Sequence, residues 1–117
     1  ADANRRAYAG LLSAMDHQVG QVLAALQARG MLEDTLIVFH SDNGGTRDKM
    51  YVGEGAVGGE LPASNGRLRE GKGSVYEGGV RVDAILGWKG RLKPAEVTGP
   101  FHVVDMLPTL AALAGAR

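Results

Sequence analysis

The chain has 117 residues with 13 basic and 13 acidic side chains, so its formal net charge is zero, and it contains 18 glycines and no cysteine. That length suits one domain rather than two, the charge balance offers no field for nucleic acid or an anionic membrane, and no apolar stretch approaches the roughly 20 residues of a membrane-spanning helix. The lack of cysteine excludes disulfides, thiolate metal ligands and a cysteine nucleophile within these residues. No signal peptide is recognisable and Ala1 is not an initiator Met, so we expect a cropped N-terminus and assign no compartment.

Tyr8, Leu11, Leu12, Met15, Val19, Val22, Leu23 and Leu26 recur at helical spacing, with Asp16, Gln18, Gln21 and Gln27 mostly opposite. This predicts an amphipathic helix over about 4–29, stopped by Gly30 at C′. Residues 35–40 form a short apolar run with β-branched members, read as a buried strand. Residues 41–73 show no sustained period and are read as one long Gly-rich loop, with a mobile centre over Val52–Gly59. Ser74-Val75-Tyr76-Glu77 matches a capping box and predicts a helical turn from Ser74 to Gly78-Gly79. A second strand is expected over 80–88. A last helix is expected over 103–114, with Pro108 in its first turn and Gly115 as its cap.

The segment richest in chemistry is Ser41-Asp42-Asn43-Gly44-Gly45, directly after the first strand. Open α/β sheets bind ligands outside the carboxyl ends of their strands. A carboxylate and an amide oxygen side by side suit a hard cation such as Ca²⁺ or Mg²⁺, whereas His or Cys would point to zinc. The same residues favour a turn for backbone reasons alone, so both readings stand on the residues themselves. Two oxygen ligands do not fill a six- to eight-oxygen shell.

Lys72, flanked by Gly71 and Gly73, is placed to bring an ammonium and nearby N–H groups to an anion, or is simply an exposed loop charge. The stretch Gly66 to Gly73 nearly fits a phosphate-binding loop, but Gly73 replaces the required Ser or Thr and no strand precedes Gly66, which excludes nucleotide binding. His17 is read as solvated. His40 is open to a supporting role beside Asp42 or to strand-end packing. His102 is read as ordering the start of the last helix, Arg81 as pairing with an acid near the loop base, Glu77 as a cap and Trp88 as a strand-end packing residue. No Ser-His-Asp set assembles from spacing.

Four segments, in order, resemble blocks of the arylsulfatase family: the first helix, Leu36 to Gly45, Asn65 to Val82, and His102 to Leu110. The resemblance spans nearly the whole chain. It implies an α/β fold of the alkaline-phosphatase-like class: a partial slab with helices packed on a short, mainly parallel sheet and a long Gly-rich loop. It also implies hydrolysis of sulfate esters by a formylglycine nucleophile and one divalent cation. Asp42 and Asn43 match the family's Asp-Asn pair on the metal, Ca²⁺ with Mg²⁺ as a variant, and Lys72 matches its sulfate-contacting lysine. No Cys/Ser-x-Pro-x-Arg motif occurs in these residues, and the family's early Asp pair has no counterpart. Asp83 and Lys89 stand where the family often has Pro, which touches a strand end and a turn more than the chemistry. The expectation is one partial domain, inactive alone, whose partners are a sulfate ester and the missing N-terminal part of the domain, with self-association possible through open sheet edges. Two alternatives are a phosphatase or phosphodiesterase of the same superfamily, against which Asn43 argues, and a non-catalytic domain that binds an anion or a partner protein.

Overall fold

A computed structural model describes residues 3–47 and 61–116. The order of elements is α1 (Ala3–Ala28), a 3₁₀ turn (Leu32–Asp34), β1 (Ile37–His40), a single helical turn α2 (Glu77–Val80), β2 (Ala84–Gly87), a second 3₁₀ turn (Val103–Asp105) and α3 (Met106–Leu113). The predicted mobile centre, Val52–Gly59, lies outside the described residues.

Both longer helices stop by the same device. At the end of α1, Gly30 adopts φ +69°, its N–H donates to Gln27 O, and Met31 N–H donates to Leu26 O at 2.9 Å. At the end of α3, Gly115 adopts φ +70°, its N–H donates to Ala112 O, and Ala116 N–H donates to Ala111 O at 2.9 Å. These paired bonds form Schellman motifs, which satisfy carbonyls left open by the helix end. The start of α3 is prepared by the preceding 3₁₀ turn. His102 Nδ1 accepts from Val104 N–H at 3.2 Å, and Asp105 Oδ2 accepts from His102 N–H at 2.9 Å. His102 thus orders the helix start, as its position in the sequence implied.

The two strands pair antiparallel, with Ile37 opposite Gly87, Val38 opposite Leu86, Phe39 opposite Ile85 and His40 opposite Ala84. This corrects the mainly parallel sheet expected from sequence. A parallel pair needs a crossover connection of a dozen or more residues that carries the chain back along the sheet. Among the described residues between the strands, the only helix is the four-residue α2, and Ser41 N–H donates to Asp83 O, extending the antiparallel ladder toward the loop.

The strand expected to be buried is half-exposed: Ile37 and Val38 are partly covered, Phe39 and His40 exposed. The cause is the absence of cover. Element packing among the described residues links β1 with β2, α3 with its 3₁₀ turn, and α1 with the turn after it, so neither long helix lies on the sheet. No hydrophobic side chain among the described residues is buried. Instead, the end of α1 and the 3₁₀ turn after it are tied to the exit of β2 by polar contacts. Trp88 Nε1 donates to Glu33 O at 2.9 Å, and Lys89 Nζ reaches Gln27 Oε1 at 3.0 Å and Glu33 at 3.4 Å. Arg91 pairs with Asp34 at 3.2 Å and lies over the Trp88 ring. Exposed pairs of this kind each contribute about 0–1 kcal/mol.

Candidate functional site

The buried described residues are all glycines: Gly44, Gly71, Gly78 and Gly79. They form a knot of backbone in which the loop leaving β1 meets the loop that precedes α2. Gly44 N–H donates to Gly79 O at 2.9 Å, Gly78 N–H to Arg69 O at 2.7 Å, and Lys72 N–H to Gly45 O at 3.3 Å. A Cβ at Gly44 would overlap the Gly78 carbonyl. Only glycine permits so close an approach of two backbones. Glu70 is the sole non-glycine described residue with positive φ, +63°, a conformation that disfavours residues with a Cβ.

Around this knot the candidate side chains fall as follows. Asn43 is half-buried, and its Nδ2 donates to Gly44 O at 2.9 Å, so the amide's acceptor is Oδ1. Asp42 is exposed beside it. Lys72 is exposed, with its backbone pinned to Gly45. A cavity of about 290 Å³ opens here, lined by Asn43, Gly44, Gly45 and Lys72 together with Ser41 and, from α1, Tyr8. Asn43 and Lys72, far apart in sequence, therefore share one cavity. Asp42 does not line it. Among the described residues, no group of three His, Asp or Glu side chains is placed to hold a metal. Asp42 and Asn43 fit a hard cation in kind, as two adjacent oxygen donors, but not in number.

Other sequence candidates take structural roles. His40 shares a 2.9 Å hydrogen bond with Ser41 O through Nδ1, and His17 is exposed beside Gln21 on the α1 surface. The capping box read at Ser74 does not form. Ser74 N–H is already donated to Gly71 O at 3.0 Å, and Ser74 Oγ accepts from Tyr76 N–H at 3.1 Å, so the helical turn begins later, at Glu77. Glu77, released from capping, pairs with Arg81 at 3.0 Å, which supplies the acid expected for that arginine. Arg69 stacks over the Tyr76 ring at 3.7 Å.

Sequence reasoning missed two residues here. Tyr8 reads as one more apolar position of the first helix, and nothing in its spacing marks it as facing the cavity. Asn65 sits in a turn-like Ser-Asn-Gly stretch, and its side chain bridges both loops: Oδ1 accepts from Gly45 N–H at 2.8 Å, while Nδ2 donates to Gly45 O at 2.9 Å and to Glu70 O at 2.8 Å. An Asn before Gly was a visible sign of a constrained turn, but not of its partner 20 residues earlier.

The family model for Sulfatase matches residues 1–116. Mouse (Mus musculus) steryl-sulfatase is 41% identical over 112 residues, which is 95% of this chain and 17% of the relative. Human (Homo sapiens) arylsulfatase A is 39% identical over 114 residues, 97% of this chain and 21% of the relative. Among solved structures, the crystal structure of Ps i-CgsB in complex with k-i-k-neocarrahexaose superimposes with a TM-score of 0.84 at 38% identity, covering 100% of this chain and 24% of that one. The chain thus spans about a fifth of the length of the curated relatives it matches.

Proposed function

The chain belongs to the sulfatase family, and from that premise we propose that residues 1–117 supply part of a site that hydrolyses sulfate esters, the nucleophile coming from protein outside these residues. The observation that carries the proposal is the shared cavity: Asn43, from the strand-end pair, and Lys72, from the glycine loop, line it together. Asp42 and Asn43 are the residues that would hold a divalent cation, Ca²⁺ in our reading, with further oxygen ligands from elsewhere. When bound, such a cation polarises a sulfate oxygen as a Lewis acid.

The chain's own contribution is electrostatic. Cleavage of a sulfate ester redistributes negative charge over the sulfate and leaving-group oxygens. Fixed donors aimed at those oxygens stabilise the transition state more than the ground state. Lys72 offers three N–H donors and no acceptor, which suits an anion. Its backbone is held by Gly45, so the ammonium works from a fixed base. The formylglycine that the family resemblance implies has no parent motif in these residues, so this reading needs the remaining length seen in the relatives.

The test is kinetic. The complete reading frame containing these residues is expressed and assayed on an aryl sulfate. Lys72→Ala is expected to lower kcat/KM by about 10²–10³-fold, the usual effect of removing one transition-state donor. Unchanged turnover would contradict the assignment of Lys72.

A further inference from the structure

We propose that Asn65 is a positioning residue that sets the distance between the strand-end pair and Lys72 across the cavity. The proposal deepens the sulfate-ester reading and rests on it. Neither family resemblance nor spacing assigned Asn65 a role; the hydrogen bonds do.

Asn65 uses three hydrogen-bonding positions at once: both amide hydrogens and one lone pair of Oδ1. The orientation of the amide follows from its partners, since Gly45 N–H can only donate and the Gly45 and Glu70 carbonyls can only accept. One side chain thereby grips both backbone groups of Gly45, two residues from Asn43. It also grips Glu70, two residues before Lys72. Lys72 N–H closes the circuit on Gly45 O at 3.3 Å. The two bonds to Gly45 are part-buried, where a lost partner leaves polar groups unsatisfied, and the bond to Glu70 O is exposed. Glu70 holds its positive φ within the same circuit, so Asn65 also secures the strained residue next to the lysine loop.

The chemistry required is narrow. Asp in place of Asn keeps the acceptor for Gly45 N–H, loses both donors and sets a carboxylate against two carbonyl oxygens. Ser is too short to span the two loops. Asn65→Ala removes all three bonds.

Hydrogen exchange, followed by mass spectrometry on the protein expressed from its complete reading frame, reads this without reference to sulfate or turnover. Peptides covering 41–47 and 68–76 in Asn65→Ala are expected to exchange at least about tenfold faster than wild type, which is what losing two part-buried hydrogen bonds and one exposed one implies. The same loops in Asn65→Asp should loosen nearly as much, because two of the three bonds are donations. Peptides covering β1 and β2 should keep their wild-type rates in both variants. Unchanged loop exchange overturns the proposal. So does equal loosening of loops and strands, or a failure of both variants to fold, since Asn65 would then serve the fold as a whole. If the loops loosen as expected while the wild-type protein turns over no aryl sulfate, the clamp stands and the sulfate-ester reading falls.

Discussion

A methyl group at Gly44 would run into the Gly78 carbonyl, next to the residue whose carbonyl accepts the Gly44 N–H. Gly44→Ala is therefore expected to destabilise the protein by at least about 2 kcal/mol, the scale of overpacking against rigid neighbours, measured by urea unfolding. A near-neutral effect would show that the knot can open cheaply. Glu70 gives the opposite case. Its φ of +63° is strained for any side chain, so Glu70→Gly is expected to unfold at an equal or higher urea concentration, whereas Glu70→Val, β-branched at the same angle, should lose about 1–2 kcal/mol. At this scale the sequence was legible where a residue's role is local. His102 as a cap and Arg81 as an ion-pair partner could be read from their neighbours. Asn65 could not, because its partner Gly45 is brought close only by the fold.

The elements are set by how they end. Gly30 and Gly115 stop α1 and α3 through paired C-terminal bonds, and His102 and Asp105 start the segment that leads into α3. His102→Ala removes the acceptor for Val104 N–H and is expected to cost about 1 kcal/mol, the usual worth of a side-chain cap. His102→Asn, which restores a short acceptor, should recover most of it in the same thermal unfolding measurement. Helical periodicity in the first segment and the terminal glycines were readable because both are short-range signals. Strand direction was not: apolar runs such as Leu36 to Phe39 look alike in either orientation, and only the path of the intervening chain decides. The misread box at Ser74 has the same origin. Gly71, three residues earlier, had already taken the backbone N–H that Glu77 was expected to cap.

Among the described residues, glycine backbone is buried and apolar side chains are not. The chain exposes 9673 Å², against about 6,000 Å² for a compact protein of its 12.2 kDa mass. Its radius of gyration is 17.4 Å, where about 13 Å is usual for this length. Leu11 is 69% exposed and Val22 60% on α1, and Ile85 62% on β2. We read these faces as surfaces covered by further protein in a complete sulfatase domain, consistent with the fifth of its relatives' length that the chain spans. No described helix is long and apolar enough to cross a membrane. The isolated 117-residue chain is accordingly predicted to bind Ca²⁺ only weakly, because Asp42 and Asn43 supply two of the roughly six to eight oxygens the ion needs. Titration calorimetry checks this, and a tight isotherm would contradict it. The same chain should release no product from an aryl sulfate above the buffer rate.

The central claim, that these residues complete a sulfate-ester site whose nucleophile lies elsewhere in the same protein, is tested most directly by sequencing the genomic DNA upstream of the Ala1 codon. The account predicts an in-frame Cys/Ser-x-Pro-x-Arg motif preceded by an Asp pair, which would make Asp42, Asn43 and Lys72 the distal half of one active site. A start codon close to Ala1 with no such motif before it would contradict the account and leave a sulfatase-like domain without sulfatase chemistry.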